Sequence, residues 1–103
     1  MVYDIIISAR AKHDMIEIGK YIAMRLHAPL AARKLLDNVE KLISNLDQMP
    51  KRYGLVSDER LAKLGIRFIP INNYIIFYVV NENIKAVTIV SVMYSERNWM
   101  DLL

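Results

Sequence analysis

The sequence predicts an α+β domain in which an α-helical hairpin packs on one face of a four-stranded, mainly antiparallel sheet. Two stretches in the first half of the chain carry apolar residues at helical spacing. Residues 65–94 hold three β-branched and aromatic segments separated by two Asn-containing breaks, a pattern typical of a three-stranded meander. A short β-rich run at residues 2–7 supplies the fourth strand, and a short helix or tail ends the chain.

The composition indicates one globular domain that spans residues 1–103. Hydrophobic residues make up 54% of the chain, which has three Gly, three Pro and no Cys. A chain of this length buries roughly 60–70% of its unfolded surface, so it can fold without disulfides or a metal ion. No stretch approaches the roughly 20 apolar residues that span a bilayer. We therefore expect a cytoplasmic protein with no membrane association, no cofactor and no metal.

The first helix is predicted to follow Ser8, a residue type favoured at helix N-caps. Its apolar stripe consists of Met15, Ile18, Ile22 and Leu26. The helix should end near residues 26–28, because a proline at position 29 disfavours helical geometry in the residue before it.

Pro29 suits the first turn of a second helix. The stripe of that helix is longer and consists of Ala32, Leu35, Leu36, Val39, Leu42, Ile43 and Leu46. Two helices joined by two or three residues run as an antiparallel hairpin, and their shared apolar side requires a sheet.

The central strand of the meander has no polar position between Tyr74 and Val80 apart from the tyrosine hydroxyls. Both of its faces therefore need cover, whereas a one-sided sheet alternates apolar and polar residues. The hairpin covers one face, and little of the chain remains for the other. We expect an apolar groove on the face away from the hairpin, and such exposed patches mark partner sites.

Ser95 is expected to cap a terminal helix that places Trp99, Leu102 and Leu103 against the body.

The charge is mildly basic, with a net charge of +3 and a pI of about 9.3, which permits a nucleic-acid or acidic protein partner. Five basic residues against two acids lie between positions 51 and 67, namely Lys51, Arg52, Arg60, Lys63 and Arg67. This stretch forms either a basic surface beside the sheet or a solvated connection.

Arg67 stands in an otherwise apolar segment, where a charge is costly unless it is paired or exposed. It belongs either to a functional sheet face or to a structural salt bridge. Tyr94 and Arg97 are expected to join it, on the argument that the last two strands return the chain to the same end of the sheet. Two arginines and a phenol can hold a phosphate or a protein carboxylate.

The order strand, helix hairpin, meander and short tail resembles the RelE/ParE superfamily of bacterial type II toxins over nearly the whole chain. The segments that carry the resemblance are Ser-Ala-Arg-Ala at 8–11 leading into Asp-Met-Ile-Glu-Ile at 14–18, Gly-Ile-Arg-Phe-Ile-Pro at 65–70 before Tyr-Ile-Ile-Phe-Tyr at 74–78, and Tyr-Ser-Glu-Arg-Asn-Trp at 94–99. The resemblance implies a toxin that arrests growth, as in plasmid stabilization, when it is released from a cognate antitoxin. Operator DNA would be contacted only through that antitoxin.

The residue patterns above, together with the resemblance, give three sets of candidate site residues. Residues that would be catalytic in a ribonuclease are Arg67, Tyr94 and Arg97. Residues for target or RNA binding are Lys51, Arg52, Arg60, Lys63 and Trp99. Residues for antitoxin binding are Tyr74, Ile76, Tyr78, Val90 and Val92.

Two toxin mechanisms occur in the superfamily, and the sequence slightly favours the ParE-like one. ParE-like members poison DNA gyrase, whereas RelE-like members are endoribonucleases that cleave ribosome-bound mRNA. The modest charge, the lack of a histidine near the tail and the Arg-Asn-Trp ending favour the ParE side. The RelE-like ribonuclease stays open as the alternative, and if the protein is an enzyme it is of this kind. An interaction module without toxicity is the third hypothesis.

Overall fold

Four strands form a single mixed sheet in the computed structural model, which describes residues 2–103. They are β1 (Asp4–Ile7), β2 (Arg67–Ile71), β3 (Tyr74–Asn81) and β4 (Ala86–Tyr94), in the spatial order β1-β4-β3-β2. β1 runs parallel to β4, and the two other pairings are antiparallel. The predicted meander and the mainly antiparallel sheet are confirmed. β1 begins at residue 4 rather than at residue 2, because the Tyr3 amide donates to the carbonyl of Asp47 instead of to a strand.

Two long helices follow β1 as the predicted hairpin. α1 (Ala9–Lys20) continues into a π-helical turn (Tyr21–Arg25), and α2 covers Pro29–Ser44. Ser8 caps α1 as predicted, since its Oγ accepts a hydrogen bond from the Ala11 amide at 3.0 Å. The first helix ends with the π-helical turn at Arg25, close to the predicted residues 26–28, and the second begins at Pro29 as predicted. Within residues 2–103, no helix combines the length and the apolar character that a bilayer crossing requires.

The main core lies between this hairpin and one face of the sheet. Most of the predicted stripe of α2 is buried there, with Leu35, Val39 and Ile43 exposed by 6% or less. The sheet contributes side chains that alternate along the strands except where the register of β4 shifts between Ile89 and Ser91, namely Ile69, Ile76, Tyr78, Val87, Ile89 and Val92. Burial on this side holds the hairpin and the sheet as one body.

The opposite face of the sheet is covered in part, so the expectation that little chain remains for it is wrong. Residues 51–64 include a helix, α3 (Glu59–Lys63), and the tail forms α4 (Trp99–Leu102). A second core lies beneath them and consists of Val56, Leu61, Ile66, Phe77 and Met93. Asp58 caps α3 by accepting a hydrogen bond from the Leu61 amide at 3.0 Å. This short helix was not predicted from the sequence, because it lies in a charged stretch that resembles a solvated connection.

The tail helix differs from its prediction at its start. Ser95 does not cap it, because the Ser95 amide donates to the carbonyl of Asn73 at 2.7 Å and extends the pairing between β3 and β4. The helix begins at Trp99, and Asn98 occupies its N-cap position. Trp99 does pack on the body, with its ring 5.3 Å from that of Phe77. Leu103 also contacts the second core, whereas Leu102 is 38% exposed.

Candidate functional site

Arg67 is held at the start of β2 by a contact with the chain itself. Its guanidinium donates a hydrogen bond to the carbonyl of Tyr53 at 2.7 Å, and the residue lies opposite Tyr78 in the sheet register. The side chain is half-buried. Among residues 2–103, Arg67 thus has no salt-bridge partner, and it does not lie on an open face, so neither of the two expected alternatives is observed.

Tyr94 and Arg97 lie at the other end of the sheet, so the expected cluster of these two residues with Arg67 is not formed. β2 and β4 are both antiparallel to β3, and therefore the start of β2 and the end of β4 are at opposite ends. Tyr94 pairs with Tyr74, which is four residues along β3 from the partner of Arg67. With about 3.3 Å per residue and about 4.8 Å per strand, the backbones of Arg67 and Tyr94 are roughly 16 Å apart. The expectation that they meet is wrong.

Most of the basic residues between positions 51 and 63 already have intramolecular partners. Lys51 forms an ion pair with Glu82, Arg52 donates to backbone carbonyls at residues 45, 48 and 49, and Arg60 donates to the carbonyl of Met100 at 2.7 Å. Lys63 is exposed on α3. These contacts mainly tie the connection and the tail to the body, and a role in target or RNA binding stays a prediction.

The five residues predicted to contact an antitoxin do not share one open face. Ile76 and Tyr78 are fully buried beneath the hairpin, and Val92 is 3% exposed in the same core. Val90 is half-buried and packs against the second core on the other face. Only Tyr74 combines partial exposure with a place in an open groove. The expected apolar groove on the far face is therefore not formed by these residues.

An open groove does exist where α1 crosses the edge of β4. β1 ends opposite Ile89, so residues 90–94 extend beyond it without a strand on that side. α1 fills this position through Asp14, whose Oδ2 accepts hydrogen bonds from the Ser91 hydroxyl at 2.5 Å and from the Val92 amide at 3.0 Å. Asp14 thereby satisfies a buried hydroxyl and an edge amide, and fixes the helix against the strand.

The groove, with a volume of about 680 Å³, lies between this helix and the ends of β3 and β4. The charged and aromatic residues that line it are Asp14, Glu17, Tyr21, Tyr74, Tyr94 and Arg97. The rings of Tyr74 and Tyr94 meet edge to face with centroids 5.7 Å apart. Burial, and then the neighbouring phenols of Tyr21 and Tyr94, raise the pKa of Tyr74. The groove can thus offer aromatic surface together with charges of both signs.

A second cluster lies at the opposite end of β4, around Glu82. Its carboxylate accepts hydrogen bonds from the Lys85 ammonium at 3.0 Å and from the Tyr3 hydroxyl at 2.9 Å, and it also pairs with Lys51 at 3.2 Å. These donors, Lys85 first, lower the pKa of Glu82 to about 2. These three contacts connect Tyr3 and Lys51 to the β3–β4 turn, so the cluster is a structural tie.

The comparison with protein families decides the identity of the chain. The family described as the ParE toxin of the type II toxin–antitoxin system parDE matches residues 5–99. The chain belongs to the ParE toxin family. It is therefore a toxin of a type II toxin–antitoxin system, and the predicted membership of the RelE/ParE superfamily is confirmed. No curated protein sequence matches it.

Solved structures agree with this family at the level of the fold. The chain is similar to a chromosomal ParDE system from P. aeruginosa, with a TM-score of 0.75, 17% identity, and coverage of 92% of this toxin and 98% of that chain. For the E. coli toxin RelE, a double mutant in the free state, the TM-score is 0.68, with 15% identity and coverage of 99% and 93%. For the toxin–antitoxin complex RelBE2 from Mycobacterium tuberculosis it is 0.64, with 18% identity and coverage of 91% and 99%.

Sequence reasoning missed the acidic and helical side of the toxin's groove. Asp14 lies off the apolar stripe of α1, and nothing local indicates its partners, which lie 77 and 78 residues away. Glu17 and Tyr21 did carry a signal, because residues four apart on a helix lie on the same face. An acid next to an aromatic ring at that spacing could have been recognised.

Proposed function

We propose that this toxin arrests growth by binding and inhibiting DNA gyrase, and that a cognate antitoxin keeps it inactive. The match to the ParE family supports this reading. Both partners are found inside the cell, so a cytoplasmic location is part of the proposal.

The observation that carries the proposal is the separation of Arg67 from Tyr94 and Arg97. A ribonuclease needs a proton acceptor within hydrogen-bond reach of a ribose hydroxyl, together with cations that stabilise the charge on the scissile phosphate. Here the guanidinium of Arg67 donates to the Tyr53 carbonyl, and the backbones of Arg67 and Tyr94 are roughly 16 Å apart across the sheet. A binder has no such requirement, since an exposed patch with a few anchor residues is sufficient.

The proposed gyrase-binding surface is the terminal segment, residues 95–103, which follows β4. Arg97 is exposed, and Met100 and Leu102 are 42% and 38% exposed on the short helix that follows. An arginine beside apolar side chains is a common composition for an interface anchor. Trp99 supports this surface from beneath by packing on Phe77.

A matched pair of substitutions tests the proposal. Arg97→Ala should weaken association with gyrase about tenfold or more, the usual cost of removing an arginine anchor, whereas Arg67→Ala should change it little. After induction in cells, DNA synthesis should stop first and message should stay intact. Early translation arrest with cleaved message, abolished by Arg67→Ala, contradicts the proposal. Growth that continues undisturbed contradicts both toxin mechanisms.

A further inference from the structure

The groove beside α1 is lined by two carboxylates, those of Asp14 and Glu17, and by one cation, Arg97. Among residues 2–103, the ion pairs are those of Glu82 with Lys51 and Lys85. Neither Asp14 nor Glu17 is paired with a cation, although both line the groove. Asp14 uses only Oδ2 for its contacts with the sheet, which leaves Oδ1 available for a further donor.

Three tyrosine rings line the same groove as these carboxylates. Tyr74 and Tyr94 meet edge to face, a geometry in which a ring can keep one of its faces open, and Tyr21 is 50% exposed on the helical side. The face of an aromatic ring attracts cations, and a guanidinium more often than an ammonium. Rings and carboxylates together therefore select a planar cation over a neutral or anionic group.

We propose that this groove receives an arginine side chain from the antitoxin segment that inactivates the toxin. The guanidinium stacks on a tyrosine ring and donates to Glu17 and to Oδ1 of Asp14, while its methylene stem lies along the apolar side chains of Ile18 and Val92. This inference rests on the proposed function, because it takes the antitoxin as the partner.

The position of the groove explains how occupation would silence the toxin. Arg97 belongs both to the groove and to the terminal segment that we propose contacts gyrase, and Tyr94 directly precedes that segment. A segment lodged there covers this surface. Because Arg97 also lines the groove, a carboxylate in the same antitoxin segment would pair with it while the arginine pairs with Asp14 and Glu17.

A pair of isosteric probes tests the chemistry of the groove directly. N-acetyl-arginine amide and N-acetyl-citrulline amide have nearly the same shape, but only the first carries a charge. In NMR titrations of the free toxin at low salt, the arginine probe should shift the ring signals of Tyr21, Tyr74 and Tyr94 and bind at least about fivefold more tightly than the citrulline probe. Glu17→Gln should remove most of this preference. Glu59→Gln, which alters an exposed acid on α3, should leave it unchanged.

Equal affinity for the two probes, no shift of the three rings, or an equal effect of the two glutamine variants overturns the proposal. The antitoxin as the source is tested in cells by coexpressing the product of the adjacent reading frame. Glu17→Gln toxin should need more of this protein for growth than Glu59→Gln toxin, and an equal requirement refutes the assignment. Arginine selectivity without gyrase inhibition would leave the site intact and refute the proposed target, so the two failures are distinguishable.

Discussion

Asp14 should be the most sensitive surface-facing carboxylate for stability. Its Oδ2 is the acceptor for the Ser91 hydroxyl and the Val92 amide, and Ser91 is fully buried. Asp14→Ala removes both bonds at once and leaves two donors without a protein partner. The same change removes the hydrogen bonds that hold α1, which forms one wall of the groove, against β4.

The expected loss follows from the cost of unsatisfied buried donors. Each costs about 1–3 kcal/mol, and water can reach this half-buried position, so the total should be about 2–4 kcal/mol. Because a domain of this size has a free energy of unfolding of roughly 5–15 kcal/mol, the variant should still fold. The midpoint of thermal unfolding should fall by about 10–20 °C. Asp14→Asn keeps an acceptor oxygen and should lose roughly half as much.

Urea denaturation of the purified toxin measures these differences, and Asp37→Ala is the matched control. Asp37 is an exposed carboxylate on α2, and its removal should change the free energy of unfolding by no more than about 0.5 kcal/mol. A double-mutant cycle between Asp14→Ala and Ser91→Ala should give a coupling energy of about 1 kcal/mol or more. If Asp14→Ala behaves like Asp37→Ala, or if the cycle shows no coupling, the account of the edge of β4 is refuted.

Three further predictions concern other ties in the fold. Because the folded-state pKa of Glu82 is lowered to about 2 from its usual 4.5, its contribution to stability is complete above about pH 5 and is lost as the pH falls toward 2. The difference in unfolding free energy between wild type and Glu82→Gln should follow that course, and a difference that persists at pH 2 contradicts it. Tyr78→Phe should cost about 1–2 kcal/mol in urea denaturation, because the buried hydroxyl donates to the carbonyl of Pro50 at 2.6 Å; burial raises the pKa of this phenol to about 12, so absorbance should show it protonated at pH 10. Arg60→Ala should loosen the tail and shift the fluorescence of Trp99, the single tryptophan, to longer wavelength, while Lys63→Ala should not.

The elements whose signals are local were predictable from the sequence. Ser8 and Pro29 mark helix boundaries through their own chemistry, and the stripe of α2 is long enough to fix both its type and its buried face. The meander follows from β-branched runs between turn residues. The parallel pairing of β1 with β4 joins residues about 80 apart and left no trace in the local pattern.

The face of each meander residue was not predictable, because β3 is apolar at both parities. Alternation could not assign Tyr78 to the hairpin side and Phe77 to the other. The separation of Arg67 from Tyr94, in contrast, was predictable from the meander itself. The first and third strands of a meander run in the same direction, so the start of the first strand and the end of the third lie at opposite ends of the sheet.

The most direct test of the proposed mechanism is a pair of assays on one purified preparation of the toxin. DNA gyrase should lose its supercoiling activity and accumulate double-strand breaks as the toxin is added, while mRNA on translating ribosomes stays intact. Arg97→Ala should restore supercoiling, and Arg67→Ala should not. Cleavage of ribosome-bound mRNA with unimpaired gyrase would contradict the account.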